Sequence, residues 1–241
     1  MTKFKPKLSI LPKEQKALWP HLAPAKDLGF TLYGGSAIAL RLGHRSSVDF
    51  DFFTEKTLAK NALYKAIPVL KGSDVLQEAP DALVVSVTPP RSENPVKLSF
   101  FAKMNFGRFG TPELTDDGVL RVASLDDLMA TKLKVILDRT EEKDYEDLAA
   151  MICAGVQVAR GLAIARQMFE RFGPQTGLLA MVYHKDVPKL SLKARRTLIA
   201  AAKTVKSLPE VTRASTRLSE DVAEDDGAGR APPPSGTRRP K

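Results

Sequence analysis

The chain has 241 residues, 43% of them hydrophobic and 27% charged, which is ordinary for a globular protein and enough for one large domain or two small ones. A single cysteine, Cys153, excludes an intramolecular disulfide and points to a reducing, cytoplasmic setting. No apolar run approaches the ~18 residues of a membrane span, and MTKFKPKLSILPKE at the N-terminus lacks the apolar core and cleavage site of a signal peptide.

Net charge is +9, from 37 Lys and Arg against 28 Asp and Glu. Such an excess favours RNA or DNA through phosphate neutralisation, and it equally serves plain solubility.

In chain order, short strand-like runs alternate with helical ones from residue 30 to 101. FTLYG is followed by a helix over 36–42, the strand VDFDFF, a helix near 57–70, and then LVVSV and VKLSFF joined through the turn-rich PPRSENP. From 124 onward the periodicity is helical, with segments over 124–139, 142–153, 158–172 and 190–208. Ser-Leu-Asp-Asp at 124–127 reads as a capped helix start with acids in its first turn. The final SEDVAEDDGAGRAPPPSGTRRPK cannot bury a face and is expected to be disordered. The layout predicted is α+β over 1–115, helical over 116–218 and a tail over 219–241, with a ligand cleft between the first two parts.

Side chains alternate along a strand, so Val48, Phe50 and Phe52 are expected to share an apolar face, with Asp49 and Asp51 on the other. Two carboxylates side by side repel unless a cation lies between them. That arrangement fits Mg²⁺ (or Mn²⁺) with water and substrate phosphate, or else a solvated or salt-bridged strand face. Gly34 and Gly35 directly after a strand allow a sharp bend and close approach to a ligand, and the following helix offers free N–H groups and its positive end to a phosphate. Ser36 would cap that helix or donate to a phosphate oxygen.

Further along, the apolar stripe Leu125, Leu128, Met129, Leu133 and Ile136 has Lys132 at its centre. A lysine there either snorkels to the surface or meets an anion. Asp144 flanks the apolar face Tyr145, Leu148, Ala149 and Ile152. Asp147 lies further round, where an ion pair with Lys143 is expected. Arg41, His44 and Arg45 sit at the end of the first helix. An arginine there could bind a triphosphate bidentately, and His44 and Arg45 could equally satisfy the last carbonyls.

The succession of strand, Gly-Ser turn, short helix and Asp-x-Asp strand resembles the signature of DNA polymerase β-like nucleotidyltransferases. GGSAIALRLGHRSSVDFDFF, followed by LDDLMATKLKVILDRTEEKDYEDLAAM, resembles more closely the AbiEii/AbiGii toxin family of nucleotidyltransferases, over roughly residues 28–152. The resemblance implies a polymerase β-like core of mixed sheet and flanking helices. It also implies Asp49 and Asp51 as metal ligands, and Gly34, Gly35, Ser36, Arg45 and Lys132 as nucleotide-binding residues. Asp49, Asp51, Lys132 and Asp144 are the catalytic set it implies, with Asp147 a second cleft acid.

The implied activity is Mg²⁺-dependent transfer of a nucleoside monophosphate from an NTP to an acceptor. RNA, tRNA in particular, is the acceptor expected, and the setting is a toxin–antitoxin or phage-defence pair with a cognate antitoxin protein. Such transferases generally carry a third carboxylate on a neighbouring strand, and many relatives have aspartate where this chain has Ser99. Serine neither holds Mg²⁺ as a carboxylate does nor accepts a proton readily. Either the site works with two aspartates, or Asp81 or Glu93 substitutes, or the protein binds nucleotide or RNA without chemistry. Transfer onto a protein hydroxyl is a third reading.

Overall fold

The structure, a computed structural model, describes residues 2–90 and 92–219. It opens with β1 (Lys3–Phe4), α1 (Lys13–Leu18) and α2 (Pro24–Asp27), followed by β2 (Thr31–Tyr33), α3 (Gly34–Leu42) and β3 (Asp49–Phe53). Next come α4 (Lys60–Ala66), β4 (Asp74–Ala79), β5 (Ala82–Val87), β6 (Val96–Phe101), β7 (Glu113–Thr115) and β8 (Arg121–Val122). The helices α5 (Leu125–Asp138), α6 (Glu142–Cys153), α7 (Val158–Met168), α8 (Pro174–Val182) and α9 (Leu192–Thr204) complete the order.

The strands form one mixed sheet in the order β1-β7-β8-β2-β3-β6-β5-β4. β3 and β6 lie parallel at its centre, with Asp49 opposite Lys97 and Asp51 opposite Ser99. β2 runs antiparallel to β3 and brings Tyr33 opposite Asp51. Period-two alternation decides the faces. Phe50, Phe52, Leu98 and Phe100 are buried on the helix-covered side with Trp19 and Phe30, while Asp49, Asp51, Lys97 and Ser99 look into a cleft. Val48 departs from expectation: it precedes β3 and is 60% exposed.

The helix expected over 57–70 is shorter, because Pro68 disfavours helical backbone at Ile67; α4 stops at Ala66 and a 3-10 turn covers Pro68–Leu70. Periodicity did not reveal β1, β4, β7, β8 or α8. The first, third and fourth of these have only two or three residues, and every residue of β4 but the last is exposed. Ser124 caps α5 by accepting from the Asp127 N–H, and Ser191 caps α9 by accepting from the Ala194 N–H. The boundary drawn after residue 115 divides β7 from β8, which pair with each other, so the sheet extends to Val122 and the helical part begins at α5. One apolar core runs through sheet and helices alike, from Leu11 to Leu218. Apart from Ser219, the expected tail lies outside the described residues.

Candidate active site

A cleft of about 820 Å³ opens on the polar face of β3 and β6. Gly34, Gly35, Asp49, Asp51, Lys97 and Ser99 line its sheet side, and Thr131, Lys132, Lys134, Arg139 and Lys143 line its helical side. Tyr33, Phe53, Phe106 and Phe169 add an aromatic wall. Tyr33 stacks on Phe53 at 5.0 Å, and Phe106 contacts both rings edge-on.

The two aspartates differ. Asp49 is partly exposed, and its Oδ2 lies 3.0 Å from Lys97 Nζ. Asp51 is the deeper. Burial pushes its pKa above the usual carboxylate value; a hydrogen bond from Ser99 works against that shift, while the neighbouring charge of Asp49 adds to it. A carboxylate held up by desolvation and by a like charge is one that a divalent cation would restore to its ionised form. Two carboxylates with room for water and substrate phosphate suit Mg²⁺ or Mn²⁺. Among the described residues no group of three or more His, Cys, Asp or Glu is placed to hold a metal. Neither substitute acid lines the cleft: Asp81 pairs with Lys103 at 2.9 Å, and Glu93 is exposed between β5 and β6.

The glycine bend sits directly on this acid pair. Tyr33, extended, is the N-cap residue of α3 and makes no side-chain cap bond, so the first-turn N–H groups of α3 have no partner within the helix. Gly34 has φ +73°, and a Cβ there would lie 2.5 Å from Asp51 Oδ2. A Cβ on Gly35 would strike the Arg45 guanidinium. Ser36 is buried, does not line the cleft, and donates its hydroxyl to the Asp49 carbonyl. It therefore ties the start of α3 to β3 and does not cap the helix.

Lys132 is 5% exposed by side chain and lies between two buried aspartates, 2.5 Å from Asp144 Oδ1 and 2.8 Å from Asp147 Oδ2. Its anions are thus the protein's own. Arg139 also grips Asp144, with Nε 3.0 Å from Oδ2. Asp147, instead of pairing with Lys143, accepts a bidentate bond from Arg45 at 2.7 and 2.8 Å and a bond from His44 Nε2 at 2.7 Å. Lys143 turns to Glu141 at 2.8 Å. Burial alone would raise both acids. For Asp144 the Lys132 charge and the Arg139 hydrogen bond outweigh it; for Asp147 the bonds from His44 and Arg45, with the Lys132 charge, hold it well below the usual range.

Setting Lys132, Arg45 and Arg139 against Asp144 and Asp147 leaves one net positive charge at the base of the helical wall. Asp144, fully buried, reaches the cleft only through Lys132 and Arg139. Arg45 is spent on Asp147 beneath the glycine bend and donates from Nη1 to the Ser46 carbonyl at 2.9 Å. Sequence patterning did not single out Arg139 or the aromatic wall, and it took Lys143 only as a partner for Asp147. Phe53 and Phe101 were legible in principle, since each follows Asp51 or Ser99 at a spacing of two on the same strand face.

The family profile described as "Nucleotidyl transferase AbiEii toxin, Type IV TA system" matches residues 21–225. Protein aq_aa25 of Aquifex aeolicus (strain VF5) is 32% identical over 121 residues, which are 49% of this chain and 55% of that protein, so the match spans about half of each. Two crystal structures share the fold. JHP933 from Helicobacter pylori superposes with a TM-score of 0.52 at 17% identity, covering 79% of this chain and 89% of that one. A candidate nucleotidyltransferase from H. pylori gives 0.51 at 18%, covering 79% and 92%. The acid pair, the glycine bend and the lysine behind them therefore sit in a chain that belongs to the AbiEii family of nucleotidyltransferases, the toxins of type IV toxin–antitoxin systems.

Proposed function

We propose that the protein transfers a nucleoside monophosphate from an NTP, with Mg²⁺ or Mn²⁺, to an RNA acceptor such as tRNA. It would act in the cytoplasm as a toxin restrained by a separately encoded antitoxin. The observation that carries this reading is the meeting of Asp49, Asp51, Gly34, Gly35 and Lys132 on the walls of one cleft.

Asp49 and Asp51 would hold the cation, which when bound neutralises the triphosphate and polarises the α-phosphate. The unpaired N–H groups at the start of α3 cradle the β- and γ-phosphates, and the helix dipole adds to their pull. The cluster around Lys132 contributes its net positive charge from the opposite wall. The base would lie against Phe53 and Phe169, the partly exposed rings of the wall. As the acceptor oxygen bonds to the α-phosphorus, the bond to the β-phosphate bridging oxygen breaks and pyrophosphate leaves. The hydroxyl proton leaves to water, and Asp51 remains an ionised ligand beside the reacting phosphate. Positioning and charge neutralisation do most of the work in such a transfer.

Incubation with each labelled NTP, Mg²⁺ and total RNA should label RNA, and Asp51→Asn should cut the rate on the order of 100-fold or more. Label on no macromolecule, or full activity in the variant, would refute the reading; label on protein would replace RNA by a protein hydroxyl. A binding module without chemistry is favoured by one observation: Ser99 stands where a third carboxylate would face Asp51, while Lys97 already neutralises Asp49. That reading predicts NTP binding without turnover and a cellular effect indifferent to Asp51→Asn.

A further inference from the structure

The bases of the helical part fall into two groups. Lys132, Lys134, Arg139 and Lys143, on α5 and at the start of α6, are all ion-paired. Residues 158–217 then hold twelve Lys and Arg against three acids, Glu170, Asp186 and Glu210. Of these bases Lys185, Lys189, Lys193, Arg196, Lys203 and Lys206 are exposed, and none forms an ion pair among the described residues. Unpaired like charges so close together repel one another, and a polyanion relieves that repulsion.

Their arrangement is linear. On α9, Lys193, Arg196 and Lys203 share one solvent face, opposite the buried Ala194 and Leu198. Its 13 residues span about 20 Å. The segment ahead of α9 is fixed against the cleft end of α6. His184 packs edge-on to Tyr145 at 5.9 Å, and the Ser191 N–H donates to Glu146 at 3.2 Å. Arg195 binds the carbonyls of Val187, Pro188 and Leu190. Glu146 lies one helical turn from Lys143, a lining residue of the cleft. The row of cations therefore begins near the cleft end of α6 and continues along α9.

We infer that this row, Lys185 to Lys206, is a docking track for the phosphate backbone of a structured RNA whose acceptor end enters the cleft. Spacing along a line that starts about one helical turn from a lining residue of the cleft matches a backbone better than a compact acidic protein. Leu192 and Ile199, exposed on the same helix face, make a protein partner the alternative outcome. The inference rests on the RNA-acceptor reading, and its test separates the two.

Labelled bulk tRNA is titrated in mobility shifts across a range of salt. The proteins compared are wild type, Lys189→Ala/Lys193→Ala/Arg196→Ala, and a control carrying Lys5→Ala/Lys65→Ala/Lys71→Ala, three exposed bases outside the helical part. The track variant should bind more weakly and lower the slope of log affinity against log salt by about 3. The control should match wild type, and NTP binding by calorimetry should stay unchanged in all three. Wild-type slope and affinity in the track variant would overturn the inference, as would failure of wild type to bind RNA. So would loss of a co-purifying protein by the track variant with its RNA affinity intact. Track-dependent RNA binding without label transfer would leave the track standing and remove the transfer reading.

Discussion

A Cβ on Gly34 would sit 2.5 Å from the Asp51 carboxylate at a φ of +73°, so backbone and neighbour restrict this position together. The left-handed conformation alone costs a non-glycine residue about 1–2 kcal/mol, and the carboxylate must also move. Gly34→Ala should therefore lower the melting temperature and weaken NTP binding by calorimetry. An effect on melting with unchanged NTP affinity would separate the bend from the ligand. Ser36 shows the opposite lesson at the same scale. A serine beside a glycine pair at a helix start suggested capping or phosphate binding, yet its hydroxyl goes to the Asp49 carbonyl, a partner thirteen residues away that no local pattern discloses.

Among elements, the junction of α3, α5 and α6 depends on Asp147. It is fully buried and binds His44, Arg45 and Lys132 together. Removing it strands those cations, and Asp147→Ala should cost about 3–5 kcal/mol in urea unfolding; a cost below about 1 kcal/mol would show the network to be ornamental. The pH dependence follows from the directions of shift. Asp144 and Asp147 have folded values below the ordinary 3.8, so the stability they contribute is present above that value and lost as pH falls through the lowered ones. Asp127 is pushed up to about 6 by burial, against hydrogen bonds from the Phe109 and Gly110 N–H groups and Ser124. Its contribution is present below 3.8 and lost as pH rises through about 6. Asp127→Asn should thus flatten the stability profile between those values and leave the acid limb intact. The lysine out of place on the α5 stripe was visible in the sequence, because helix phase sets it, whereas Asp144 as a cleft residue came only with the family resemblance. The Asp147 contacts were not, since they join α6 to residues a hundred positions earlier.

For the whole molecule, the sheet and the helical part share one apolar core, and the cleft lies where they meet. Strand alternation and the Gly-Gly-Ser/Asp-x-Asp succession were enough to expect the acids beside the bend on one sheet, and the family resemblance supplied its mixed character. The eight-strand order was not, because β1, β7 and β8 are too short to leave a periodic trace. No helix among the described residues is long and apolar enough to cross a membrane. The most direct measurement of the central claim is calorimetric titration of a non-hydrolysable NTP, with and without Mg²⁺, into wild type and Asp49→Asn/Asp51→Asn. Binding that requires Mg²⁺ in wild type and is lost in the double variant is the result predicted. Equal binding without the cation, or in the variant, would contradict a metal–triphosphate complex gripped by these two acids.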